Sequence, residues 1–182
     1  MSTKQWQDVH NFWFNECTAE DWFGKDLAFD RLIWERFGAY CEAAARGECY
    51  TWRSEMAGRV AEIVVLDQFS RNVWRDSPKA FSQDPMALVL AQEAVVMPEY
   101  EQLGADEKKF ILMPFMHSES RLIHEQAVQH FKALGDEQTL EYEYRHKVII
   151  DRFGRYPHRN KILGRTSTPE EIEFLKEPHS SF

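Results

Sequence analysis

Three polar segments carry the side chains of this chain that could do chemistry. The richest is "RFGRYPHRNKILGR", residues 152–165, which packs Arg152, Arg155, Arg159, Lys161 and Arg165 into a protein of net charge −8. Guanidinium groups are planar forks that match carboxylate or phosphate oxygens. Arg152, Arg155, Arg159 and Asn160, with His158 and Pro157 among them, are therefore what an anion pocket needs. The same cations would also satisfy the carbonyls that end the preceding helix, where the dipole favours positive charge. Both uses fit the spacing.

The second segment, "LDQFSRN", sets Asp67 against Arg71 and Gln68 against Asn72 at i,i+4, a polar ridge beside the apolar "AEIVVL". An anion-facing ridge and an ordinary surface ion pair both fit this pattern, the latter worth only tenths of a kcal/mol, about 0.3–0.5. The third, "PFMHSES", places His117, Ser118 and Glu119 after Pro114, at the expected start of a helix. His117, Arg121 and His124 then share one face. Free N–H groups at a helix start favour anions and keep a nearby imidazole neutral, so His117 would serve in proton transfer or as a cap.

Other chemistries are poorly served. Glu143-x-x-His146 is one E-x-x-H where a di-iron bundle needs two, and H-E-x-x-H is absent, so no metal and no cofactor is expected. No G-x-S-x-G, phosphate-binding loop or dinucleotide fingerprint occurs. Cys17, Cys41 and Cys49 are odd in number, form no C-x-x-C, and read as reduced thiols of a cytoplasmic protein.

Helical periodicity must position these groups, because no alternating strand pattern is present. A first helix carries Trp6, Val9, Phe12 and Trp13. A second is capped by Asp26, carries Leu27, Leu32, Phe37 and Cys41, and stops at Gly47. A third runs from Ser54 to about Trp74, and a fourth from Asp84-Pro85 to near Pro98. A fifth follows Gly104 and is cut by Pro114. The sixth spans about Phe115 to Leu134, the seventh Glu137 to Phe153, closing at Gly154. Thr168, Pro169 and Glu171 open a last one with a capping box. The expectation is an all-α domain over residues 1–182, an irregular array of seven to nine antiparallel helices. "WERFGAY" is close to the opening of a tetratricopeptide helix, with its tyrosine one place early and no second copy.

Bulk properties limit the function. With 182 residues, 43% hydrophobic and 14% aromatic, the chain can bury about 70% of its unfolded surface in one core. No run of about 18 apolar residues exists, so no membrane association is expected. The acidic balance argues against nucleic acid. Residues 145–165 nevertheless hold seven Lys/Arg and one acid, +6, whereas the other 161 hold 15 and 29, −14. Six tryptophans serve a core first and leave self-association into a homo-oligomer open.

Together "LDQFSRNVWR", "LMPFMHSES" and "RFGRYPHRNKILGRTSTPEEIEFL" resemble the bacterial family known as domain of unknown function 924, and the resemblance runs from "VHNFWF" to "EEIEFL". It implies a tetratricopeptide-like α-α superhelix in a cytoplasmic protein, with no assigned activity. The motif residues that carry over are Asp67, Gln68, Arg71, Asn72, His117, Ser118, Glu119, Arg152, Gly154, Arg155, Pro157, His158, Arg159 and Asn160.

Three functions stay open. The first is a module binding a small phosphate- or carboxylate-bearing ligand, or an acidic peptide, through Asp67, Arg71, Asn72, Ser118, Arg152, Arg155, Arg159 and Asn160. The second is a hydrolase- or isomerase-type enzyme. It would use His117 or His158 as acid/base, Asp67 or Glu119 to orient it, and arginines to clamp an anionic substrate. The third is a structural lattice of arginines on carboxylates.

Overall fold

Side-chain caps open three of the helices, at Asp26, Asp136 and Thr168. The structure is a computed structural model describing residues 5–182; residues 1–4, the start of the expected domain, lie outside the described residues. The chain is all-α, and no strand occurs among the described residues. It divides into two compact units: the residues up to Arg75 with Lys79–Pro114, and Asp76–Pro78 with Phe115–Phe182. No helix among the described residues is long and apolar enough to cross a membrane.

In the first unit α1 (Gln5–Asn11) runs into a π turn at Phe12–Glu16, and a short α2 (Ala19–Phe23) follows. The Thr18/Asp21 capping box that starts α2 lies in the sequence, but its helix is too brief to show a period. In α3 (Leu27–Ala45), Asp26 accepts from the Ala28 amide at 2.8 Å, as its position predicts. Leu27 and Leu32 are exposed, and the buried stripe is Ile33, Phe37 and Cys41.

The stretch expected as one helix from Ser54 to Trp74 is segmented. It comprises α4 (Met56–Val64), a π turn at Val65–Phe69, and α5 (Ser70–Val73). α6 (Asp84–Ala94) takes Pro85 in its first turn, where the missing N–H is not needed. α7 (Ala105–Met116) passes through Pro114 instead of ending there. Proline removes one backbone bond near the helix end, and the last turn closes two residues later, so the loss is small. The core of this unit is aromatic, with Phe12 and Phe37 at 4.9 Å, Phe37 and Phe69 at 5.2 Å, and Trp13 and Phe110 at 5.3 Å between ring centres.

The second unit is an α-hairpin with a buttress. α8 (Arg121–Leu134) and α9 (Glu137–Phe153) pack as antiparallel neighbours, and Arg121 donates to the Asp151 carbonyl at 3.1 Å. Asp136 caps α9 through the Thr139 amide. Gly154, at φ +70°, turns the chain out of the helix in the left-handed region that other residues avoid. A short 3₁₀ turn at Pro157–Arg159 follows, then α10 (Pro169–Phe174), with its Thr168/Glu171 capping box formed as expected. Phe153, Ile149, Ile150, Tyr156 and Phe174 form its apolar cluster.

In the first unit, Gly58 of α4 lies where a β-carbon would stand 2.1 Å from the Trp52 carbonyl oxygen. That neighbour is backbone and cannot swing aside. Gly58→Ala is expected to destabilise the protein by about 1–3 kcal/mol, read as a lowered denaturation midpoint, despite alanine's better helix propensity.

Candidate functional site

The polar ridge of the first unit is held by carboxylates. Asp67 sits fully buried in the π turn, a feature frequent at functional sites. Its carboxylate accepts from Gln68 Nε2 at 2.5 Å, and Arg71 Nη1 lies 3.3 Å from Oδ1. Arg71 also forks onto Asp84, both contacts at 3.0 Å. Asn72 donates to Asp30 at 2.8 Å, and Arg75 meets the same carboxylate. Asp67 and Arg71 are thus brought together, with Asp84 as a third member that no local spacing announces. Asn72 belongs to a neighbouring cluster around Asp30.

In the second unit the structure gathers His117, Ser118, Glu119, Arg155, His158, Arg159 and Asn160, but leaves Arg152 at the surface. His117 does not open a helix. It follows the end of α7, and α8 begins only at Arg121 with Ser120 as its cap. His117 therefore does not stand at the helix start expected for it. Ser118 Oγ accepts from the Ser120 amide at 3.2 Å, closing this link.

Glu119 is engaged by the loop. Its carboxylate takes both Nη groups of Arg165, at 2.8 and 2.9 Å, and the Tyr156 amide at 2.7 Å. Burial alone would push its carboxyl up; the Arg165 fork, the Tyr156 amide and the Arg159 charge outweigh this and hold it below the ordinary value. Arg155 forks onto Glu171 at 2.7 and 2.8 Å and reaches the Thr166 carbonyl. Asn160 donates to Glu171 and accepts from Arg165. The Arg155 guanidinium, with the Thr168 amide and Asn160, brings the Glu171 carboxyl down to about 2. Arg152 is exposed, paired with Glu170 at 2.9 Å and lying over the Phe153 ring.

These ties fix Tyr156 and what surrounds it. The Tyr156 hydroxyl donates to the Met116 carbonyl at 2.5 Å, and His124 Nε2 approaches the same oxygen at 3.2 Å. His124 Nε2 also faces the Ser118 carbonyl at 2.8 Å; a carbonyl only accepts, so this nitrogen carries hydrogen. On its other side His124 Nδ1 meets Glu143 Oε1 at 2.7 Å, both side chains fully buried. Burial pushes the Glu143 carboxyl up while His124 pulls it down, and one proton lies between the two groups.

His146 completes the group. Its Nδ1 donates to the Tyr142 carbonyl at 2.7 Å, which leaves Nε2 as the lone-pair nitrogen. Its ring is 6.4 Å from His117 and 5.7 Å from Tyr156. Burial, helped by repulsion from His117, His124 and His158, depresses it to about 3, so it is uncharged at neutral pH. His158 packs 5.6 Å from Tyr156. The Arg159 guanidinium lies 4.7 Å over the same tyrosine ring and donates to the His117 carbonyl. Phe182 stacks on His146 at 3.7 Å.

Tyr156, His124, His146, Glu143, Arg165 and Glu171 are the members that spacing alone did not assign to the site. Glu143-x-x-His146 is a real local signal, but the two side chains serve different partners. Among the described residues no three His, Cys, Asp or Glu side chains are grouped as metal ligands. The arrangement sets imidazoles and the buried Arg159 guanidinium around one tyrosine ring.

The family model described as "Bacterial protein of unknown function (DUF924)" matches residues 9–179. No curated protein matches the chain. A solved structure from Agrobacterium tumefaciens, of the protein of unknown function ATU0120, is 34% identical; the match covers 97% of this chain and 99% of that one, with a TM-score of 0.90. With its motifs and its fold both shared, this chain belongs to the bacterial family of unknown function DUF924.

Proposed function

We propose that the second unit is a binding module for a small ligand bearing a phosphate or carboxylate group, taken up at the histidine cluster around Tyr156. The observation that carries this is the convergence of His124, His146 and His158 on one tyrosine that also bears the Arg159 guanidinium, with His117 beside His146. His117 and His158 are partly exposed and gain charge on protonation, while Arg159 is charged at every working pH. An anion there meets cations on a stiff loop. The loop is stiff because Arg155 and Arg165 are committed to Glu171 and Glu119.

The lattice reading is thereby absorbed: Arg155 and Arg165 scaffold, and His117, His158 and Arg159 would contact the ligand. Enzymatic acid/base chemistry draws less support. The Glu119 carboxylate, one candidate to orient a histidine, is taken by Arg165 and the Tyr156 amide. The imidazole–carboxylate pair at 2.7 Å, His124 and Glu143, is sealed from solvent.

Binding is read by histidine Cε1–H NMR shifts during titration with inorganic phosphate and succinate. Shifts at His117 and His158 are expected with both anions. Arg159→Gln is expected to weaken binding about tenfold or more, the range of one charge-assisted contact. No shift from either anion at millimolar concentration contradicts the proposal.

The scaffold has its own pH signature. Glu171 titrates near 4.5 when unfolded and about 2 when folded. Its stabilisation is therefore complete above the unfolded value and is lost as pH falls from about 4.5 towards about 2. Glu171→Gln should lower stability at pH 7 and flatten its decline across that window, measured by urea unfolding. An unchanged slope would show that the pair is not formed.

A further inference from the structure

Phe182 is an exposed apolar side chain whose ring lies on a buried imidazole. It lies face to face with His146, centres 3.7 Å apart and planes 20° from parallel, and its edge approaches His158 at 6.2 Å. The ring is 51% exposed, whereas His146 beneath it is 6% exposed. The phenyl thus covers an imidazole face that would otherwise open onto solvent.

The segment that delivers it is turned back after α10. Ser180 is buried and its hydroxyl donates to the Leu175 carbonyl at 3.2 Å. His179 takes φ +60°, in the left-handed region that a non-glycine residue occupies at an energetic cost. A half-exposed ring reached through a strained residue is a contact that a better-fitting flat group can replace. His146 suits such a group. It carries no charge, its Nδ1 is fixed by Tyr142, and Tyr156 packs edge-on at 85° as a wall.

We infer that Phe182 holds the place of a planar ring, and that the ligand class is an aromatic or heteroaromatic compound carrying an acidic group. The ring would stack on His146 while the acid meets His117, His158 and Arg159. Phe182 then acts as a built-in competitor that the ligand displaces. This rests on the anion-binding reading and specifies the rest of the ligand.

The test compares the full chain with Phe182→Ala, titrating each with 1-naphthyl phosphate and with inorganic phosphate by calorimetry and histidine NMR. Removing the ring is expected to tighten 1-naphthyl phosphate by about fivefold or more, the scale of one aromatic contact. Inorganic phosphate should be unchanged, and loss of the ring current should move the His146 Cε1–H signal. Phe182→Leu, which keeps an apolar cover without a ring, should lie between the two. Equal gain for both probes, or none for 1-naphthyl phosphate, overturns the inference and leaves the anion site standing. Failure of both probes to bind either protein overturns the anion site and this inference together.

Discussion

A carboxylate taken out of water must be met by donors, and in this protein Glu119 and Glu171 impose that condition on the basic loop. Glu119 comes from the link between α7 and α8, Glu171 from α10. The loop answers with Arg165 and Arg155, each through two hydrogen bonds, and Asn160 bridges between them by meeting both Glu171 and Arg165. Charge-assisted forks of this kind fix direction as well as distance. The local excess of +6 in an acidic chain is therefore largely an internal balance, and the path of residues 155–165 follows from it.

What that path achieves is the placement of Tyr156. Its amide is held by Glu119, its hydroxyl by the Met116 carbonyl, and its ring by Arg159. Around it, histidines from α8, the link and the loop come close enough to disfavour charge on His146 of α9. Desolvation does most of this work at His146, and the neighbouring imidazoles add to it. His124 is tied to the Glu143 carboxylate at 2.7 Å.

The parts of this fold that could be read in the sequence are those decided within a few residues. The Asp26 cap, Pro85 in the first turn of α6, the Gly154 stop and the Thr168/Glu171 box all depend on neighbours at most four positions away. The π turns at Phe12–Glu16 and Val65–Phe69 escaped because each adds one residue to a continuous helical pattern without breaking its apolar face. Pro114 misled because proline's effect depends on how much helix remains beyond it. The candidate residues His117, Glu119 and the Arg155–Asn160 loop were visible as motifs, but their partners were not. Glu171 looked fully explained as a capping residue, and its pairing with Arg155, sixteen residues away, is a tertiary contact. The convergence of His124 and His146 on Tyr156 likewise exists only once α8 and α9 are packed.

Membership of DUF924 supplies the fold and no activity, so the chemistry has to be argued from the packed imidazoles themselves. Their electrostatic state is open to direct observation. A ¹³C and ¹⁵N NMR titration of His146 should show a neutral ring protonated at Nδ1 that takes up a second proton only near pH 3. A ring titrating near 6.5, the ordinary value, would mean that water reaches it freely and that the cluster described around Tyr156 is not formed.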